Sequence, residues 1–304
     1  MNEQQVKDNV KLHLLVLIWG FTAILGALIS LPPVEIVFFR TLISAISLMA
    51  VLIFTRVYFY VKVRDLLIVV GIGALIGAHW VLFFLSARVS TISICLVGMA
   101  TASLWTSLLE PIFNKRRVQF HEVFFGLLVI VGLFVIFQFE SGHWLGLVLA
   151  ILSAFLAALF SVFNGMLTKK YDHRLITFYE MIGACLSIVL FFPIYKSYFT
   201  NEILALDPQP MDWVYLVILA VVCTVYAYSQ WIELMKRLSV YAINLVVNLE
   251  PVYGIILALM IFGENERMNE GFYIGTFIII LTVISYPLFN RRLKNKAGKV
   301  KRIF

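Results

Sequence analysis

Charge is scarce in this chain. Asp, Glu, Lys and Arg make up 13% of its 304 residues, against 62% hydrophobic residues, whereas a soluble domain is about 25% charged and about 45–50% apolar. So little polar surface excludes a water-soluble globule, and a mean hydropathy of +0.96 places the chain in a bilayer. Cysteine is equally sparse. Cys95, Cys185 and Cys223 lie in apolar runs with neither metal-ligand nor disulfide-framework spacing, so they read as small packing residues. No Walker-type phosphate loop, zinc spacing or serine-hydrolase elbow occurs. No cofactor or metal is therefore expected, and work done by the protein must draw on a gradient or on exchange, with a proton as the expected driver. The "GIGALIG" stretch at 71–77 departs from a dinucleotide fingerprint and sits in an apolar run, so Gly73 and Gly77 read as helix-packing residues. No small-residue cleavage site follows the polar N-terminus, so the first apolar run is expected to be a retained helix rather than a signal peptide.

What the chain does have is long apolar runs, each near the ~20 residues that span a membrane as helix. They fall at 12–31, 34–55, 65–87, 90–113 and 121–139, then at 144–168, 175–196, 211–235, 239–262 and 270–289. The loops alternate in charge. Lys7 and Lys11, Arg56, Lys62 and Arg64, Lys115 to Arg117, Lys169, Lys170 and Arg174, Lys236 and Arg237, and the closing "RRLKNKAGKVKR" fall on one side. Glu140, Glu202, Asp207, Asp212, Glu264, Glu266 and Glu270, with Arg88, Lys196 and Arg267 among them, fall on the other. The positive-inside rule then puts both termini in the cytoplasm. The net charge of +7 follows from this topology signal and implies no nucleic-acid partner.

The two halves align with each other. "EIVFFR" (35–40) matches "LITFYE" (175–180), "ARVSTISI" (87–94) matches "KRLSVYAI" (236–243), and "GLLVIVG" (126–132) matches "GTFIIIL" (275–281). Five spans per half is an odd number, so the second half enters from the opposite face. The expectation is an all-α integral membrane protein of ten transmembrane helices in two inverted five-helix repeats, 12–139 and 144–289, followed by a basic cytoplasmic tail at 290–304. Folds of this kind place a solute site near the midplane between the repeats. "LIWGF", "FFRTLISA" and "NLEPVYGIILALMIFGE" resemble the EamA-type transporters of the drug/metabolite transporter superfamily over residues 12–289. That resemblance implies a ten-helix secondary carrier, most often an exporter of amino acids or other small metabolites, in which a proline and a small residue interrupt the penultimate helix of a half and a Gly-Glu pair follows. The first half has Thr101, Ala102 and Lys115 where the second has Glu250, Pro251 and Glu264, so the break is expected in the second half alone.

Ionisable residues inside a membrane are costly and mark function by default. Glu250, beside Pro251, falls near the middle of its span; the proline frees the carbonyl of Val247, and the carboxylate could take a substrate ammonium or a coupling proton. Tyr241, Asn244 and Asn248 form one polar stripe on the same run, suited to a cavity or to gluing helices together. Arg40 could clamp a substrate carboxylate or pair with Glu35. Its repeat partner Glu180, beside Tyr179, carries the opposite charge, which suggests gates or anchors on the two sides. His79 and Trp80 match Tyr228 and Ser229, with Tyr226 nearby, while Trp19 and Asn164 occupy the first spans of the two halves; aromatic faces with polar tips suit an amphipathic or zwitterionic solute. Glu110 and Glu233 read as helix-end residues beside lysines. The leading reading is a plasma (inner) membrane exporter of small organic metabolites such as amino acids, working by alternating access as a monomer or homodimer in the lipid bilayer. A carrier or flippase for nucleotide sugars or lipid-linked sugars is the alternative, opposed by the shortage of deep basic residues, and a membrane-embedded enzyme ranks below both.

Overall fold

The structure, a computed structural model, describes residues 3–115, 117–139, 141–200, 203–263 and 269–300. Arg116, Glu140, Glu202, Glu264, Glu266, Arg267, Lys301 and Arg302, which the charge pattern assigns to loops and the tail, lie outside the described residues. Among the described residues no strand occurs. The helices are α1 (Glu3–Gly20), α2 (Thr22–Leu28), α3 (Pro33–Phe54), α4 (Val63–Val89), α5 (Ile92–Met99), α6 (Ala102–Asn114), α7 (Phe120–Phe139), α8 (Trp144–Leu167), α9 (His173–Phe199), α10 (Pro210–Val217), α11 (Ala227–Leu234), α12 (Val240–Val247), α13 (Glu250–Phe262) and α14 (Glu270–Val300). A π-helical segment, Ile218–Tyr226, joins α10 to α11. Among the described residues eight helical stretches are long and apolar enough to cross a membrane, and two shorter apolar helices, Phe120–Ile136 and Glu270–Tyr286, accompany them.

Local sequence sets these boundaries. Pro33 opens α3 and Pro210 opens α10, positions where a missing N–H costs nothing. Thr91 Oγ1 caps α5 by accepting from Ile94 N at 3.2 Å, and Ser239 Oγ caps α12 by accepting from Ala242 N at 3.3 Å. The expectation of a single broken helix is corrected here, since both α5–α6 and α12–α13 are interrupted. At each break the backbone tightens to i→i−3 bonds: Ala100 to Val97 at 3.1 Å and Thr101 to Gly98 at 3.2 Å, Asn248 to Leu245 at 3.2 Å and Leu249 to Val246 at 3.0 Å. Pro251 forces the second break. In the first, Thr101 Oγ1 donates to the Gly98 carbonyl at 2.9 Å, adding a second bond to the acceptor that Thr101 N already uses at the tight turn.

Small residues let the helices approach. A Cβ on Gly73 of α4 would meet the α9 backbone, including Ala184 N at 2.7 Å, and one on Gly183 of α9 would meet the α4 backbone at Val70. Gly132 and Gly275 do the same for α7 and α14. The helices pair as α4 with α9, α3 with the π segment, α1 with α13, α5 and α6 with α8, and α7 with α14.

Polar contacts tie each end. At one, Arg237 grips Asp8 through two bonds of 2.8 and 2.9 Å, Lys11 meets Glu233 at 2.8 Å, and the Tyr171 hydroxyl donates to Asp65 at 2.7 Å. At the other, Asp212 accepts from Ser30 N at 2.9 Å and Ser30 Oγ at 2.5 Å. Arg88 Nη2 there donates to the carbonyls of Ile29 and Leu31 at 2.6 Å each.

Candidate functional site

Between the two tied ends lies a cavity of about 80 Å³. Its wall includes Trp19, Arg40, His79, Trp80, Tyr228, Asn244 and Glu250, drawn from α1, α3, α4, α11, α12 and α13. Phe83, Phe160, Ser161, Cys223 and Trp231 complete much of the remainder.

Arg40 is 2% exposed. Its Nε donates to Thr224 Oγ1 at 2.9 Å, and its guanidinium carbon lies over the Trp80 ring. Nη1 has no partner. The suggested pairing with Glu35 is not formed, because Glu35 Oε1 instead accepts from Ala205 N at 3.2 Å. The π segment supplies the arginine's anchor: Thr224 Oγ1 donates in turn to Leu219 O at 2.9 Å, and Cys223 O accepts from Trp19 Nε1 at 3.0 Å. π-helical turns of this kind gather at functional sites.

Glu250 opens α13 at the second break, on the cavity wall, with 7% exposure. It lies within electrostatic reach of Arg40, yet the two form no direct ion pair. A basic and an acidic side chain thus share the cavity wall without pairing. A second unpartnered donor, Trp231 Nε1, is buried on the same wall.

Aromatic rings form the rest of the enclosure. Trp19 meets Trp231 edge-on at 5.7 Å, Tyr228 stacks on Trp231 at 5.4 Å, and Phe160 approaches both Tyr228 and Trp231 at 6.2 Å. His79 is fixed by α8: Nδ1 lies 2.9 Å from Ser153 O, and Ser153 Oγ donates to His79 O at 2.9 Å. That pattern assigns the proton to Nδ1 and leaves Nε2 as an acceptor.

Five predicted residues stand apart from the wall. Asn164 and Glu180 sit directly behind it, against Tyr228. Asn248 Nδ2 donates to Ser103 Oγ at 2.8 Å, joining α12 to α6. Asn244 makes the parallel bond to Thr106 Oγ1 at 2.8 Å while also reaching the cavity. Tyr179 faces away and donates to Phe59 O at 3.0 Å. Tyr226 ends the π segment 46% exposed on the outer surface, because the wider π turns carry Cys223 and Thr224 inward in its place. Glu110, read as a helix-end residue, accepts from Tyr241 N at 3.2 Å.

Comparison with known proteins agrees with this architecture. The EamA-like transporter family matches residues 10–138 and again 144–286. An "Uncharacterized transporter" of Archaeoglobus fulgidus is 26% identical over 298 residues, covering 91% of this chain and 96% of its own. One of Haemophilus influenzae is 22% identical over 86% of this chain and 87% of its own. A solved crystal structure shares the fold with a TM-score of 0.71 at 17% identity, over 94% of this chain and 99% of that one. These family and relative names indicate transport rather than catalysis. The chain belongs to the EamA-like transporter family and is a multi-pass membrane transporter.

Proposed function

We propose that this protein is a secondary transporter that exports small zwitterionic metabolites of the amino-acid class across the plasma membrane by alternating access. The observation that carries this reading is the separated pair Arg40 and Glu250 on one aromatic-lined cavity. A zwitterion fits between them. Its carboxylate takes Arg40 Nη1 and Trp231 Nε1, two buried donors on the wall without partners, and its ammonium takes Glu250 and the ring faces of the enclosure. Neither charge is then left bare in a dry site, which is the condition for tight recognition. Among the residues lining the cavity Arg40 is the single lysine or arginine. A phosphate-bearing cargo needs more cations than that, which disfavours nucleotide sugars and lipid-linked sugars.

Ten spans in two inverted repeats, 12–139 and 144–289, with both termini and the 290–304 tail cytoplasmic, supply the mechanism. Packing of α4 on α9 and of α3 on the π segment, with α1 on α13 and α8 on α5 and α6, supports this exchange of partners between halves. One half rocks against the other around the fixed cavity, alternately releasing the contacts at the Asp8–Arg237 end and at the Ser30–Asp212 end. A proton gradient or exchange drives the cycle.

The test is efflux from proteoliposomes loaded with a panel of labelled amino acids, nucleotide sugars and other metabolites. Amino-acid efflux that is abolished in the Arg40→Ala, Glu250→Gln double variant is the expected result. Undiminished efflux by that variant, or efflux confined to phosphate-bearing compounds, overturns the reading.

A further inference from the structure

A second polar cluster lies behind the cavity wall. Glu180 of α9, Asn164 of α8 and Tyr228 of α11 meet there, and Glu180 and Asn164 are each 0% exposed. Asn164 Nδ2 donates to the Tyr228 hydroxyl at 2.8 Å, and both side chains lie against the Glu180 carboxylate. Neither Glu180 oxygen is in a well-aligned hydrogen bond, and Asn164 Oδ1 has no partner. The donors beside the carboxylate are the neutral Tyr228 hydroxyl and Asn164 amide, with no cation among them. The elements packed against α9 carry few groups that could help. These are Glu35 and Arg40 on α3, Arg64, Asp65, His79 and Arg88 on α4, and Tyr228 and Glu233 on α11. Of them, Tyr228 is the one that meets Glu180. An ionised carboxylate without a cation beside it is strongly disfavoured in such a place.

A single proton resolves the mismatch. It turns one Glu180 oxygen from acceptor into donor and gives the cluster the hydrogen that Asn164 Oδ1 lacks. We propose that Glu180, cradled by Asn164 and Tyr228, is the site at which the protein binds and carries a proton, separate from the Arg40–Glu250 cavity. The proposal rests on reading the protein as a secondary transporter. On loading, an O–H bond forms between a Glu180 oxygen and a proton from water; on release that bond breaks, the electron pair stays on the carboxylate, and the proton returns to water.

Tyr228 is the link to the cargo. It lines the cavity, stacks on Trp231, and meets the Trp80 ring edge-on at 6.4 Å, the same ring that carries Arg40. A cargo carboxylate that draws on Arg40 and Trp231 therefore displaces the rings around Tyr228 and with them the hydroxyl that supports Glu180. Coupling of this kind is reciprocal: whatever cargo does to proton affinity, the proton does to cargo affinity by the same factor. An alkali ion is the competing occupant, and one carboxylate, one amide oxygen and an already engaged hydroxyl offer it too few ligands.

The test needs no cargo. Full-length protein in lipid nanodiscs is titrated with pH alone while infrared difference spectra follow the carboxylic-acid C=O stretch. The expected result is a band present at neutral pH, lost in Glu180→Gln, retained in Glu250→Gln and shifted in frequency in Tyr228→Phe. A band that Glu180→Gln leaves unchanged, or a spectrum that answers to sodium at fixed pH, overturns the proposal. Should Glu180→Gln fail to fold, an unshifted band in Tyr228→Phe overturns it equally. Because no transport is measured, failure of the efflux assay and failure of the proton site are read separately.

Discussion

The guanidinium carbon of Arg40 lies 3.8 Å from the centroid of the Trp80 ring, so α3 and α4 share a cation–π contact on the cavity wall. The contact holds the arginine in place while leaving Nη1 open.

Cargo affinity should follow that contact. A cation–π pair in a desolvated site contributes about 2 kcal/mol, so Trp80→Leu is expected to weaken ligand-induced thermal stabilisation by roughly 30-fold in apparent affinity. Trp80→Phe loses less. Arg40→Lys loses nearly as much as Arg40→Ala, because an ammonium cannot bond Thr224 and a carboxylate together in the guanidinium geometry. Equal affinities across this series would remove Arg40 from the site.

Two glycines on α4, two residues apart, should behave oppositely. A methyl group on Gly71 would meet nothing within 4 Å, whereas Gly73 abuts the α9 backbone. Gly71→Ala is expected to be neutral or to stabilise by up to about 1 kcal/mol through helix propensity. Gly73→Ala should lower the melting temperature and Gly73→Leu should abolish folded yield, both read by thermal melts in detergent.

The asparagine stripe divides in the same way. Asn248→Ala breaks the bond to Ser103 at a cost of about 0.6–2 kcal/mol, and should lower stability while leaving ligand-induced shifts intact. Asn244→Ala should change both, since its side chain bonds Thr106 and also reaches the cavity. A ligand panel run on both variants decides between glue and site.

Asp172, in the loop before α9, supplies a pH prediction. Burial works against its charge, but hydrogen bonds from the Arg174 side chain and backbone, with the nearby positive charge, hold its carboxyl below the ordinary value of 3.8. A depressed folded-state value stabilises above the unfolded one and is lost as pH falls through the folded one. Asp172→Asn is therefore expected to be less stable than the parent at pH 7, by under about 1 kcal/mol given solvent screening. The gap should close as the medium is acidified below about pH 4. A gap that widens in acid contradicts the assignment.

The apolar runs and the proline at 251 made most helices and one break legible from sequence. The break between α5 and α6 was not, because no proline marks it; a hydroxyl and a tightened turn do the same work inside an ordinary apolar run. Periodicity also missed Cys223, Thr224 and Trp231, and placed Tyr226 inward instead. The cause is the π segment, whose i→i+5 bonds shift the phase of everything after it relative to a 3.6-residue repeat. Phe160 was hidden for a simpler reason: with 26 phenylalanines in the chain, composition alone cannot tell a ring facing the cavity from one facing lipid.

The wide turns of Ile218–Tyr226 hold a spare residue. Tightening them to an ordinary α pitch would screw α11 round by about 100° and advance it by about 1.5 Å, sweeping Tyr228 and Trp231 past their present neighbours. A slack register of this sort lets one helix present two different sets of side chains without a hinge, a proline or an unfolded intermediate.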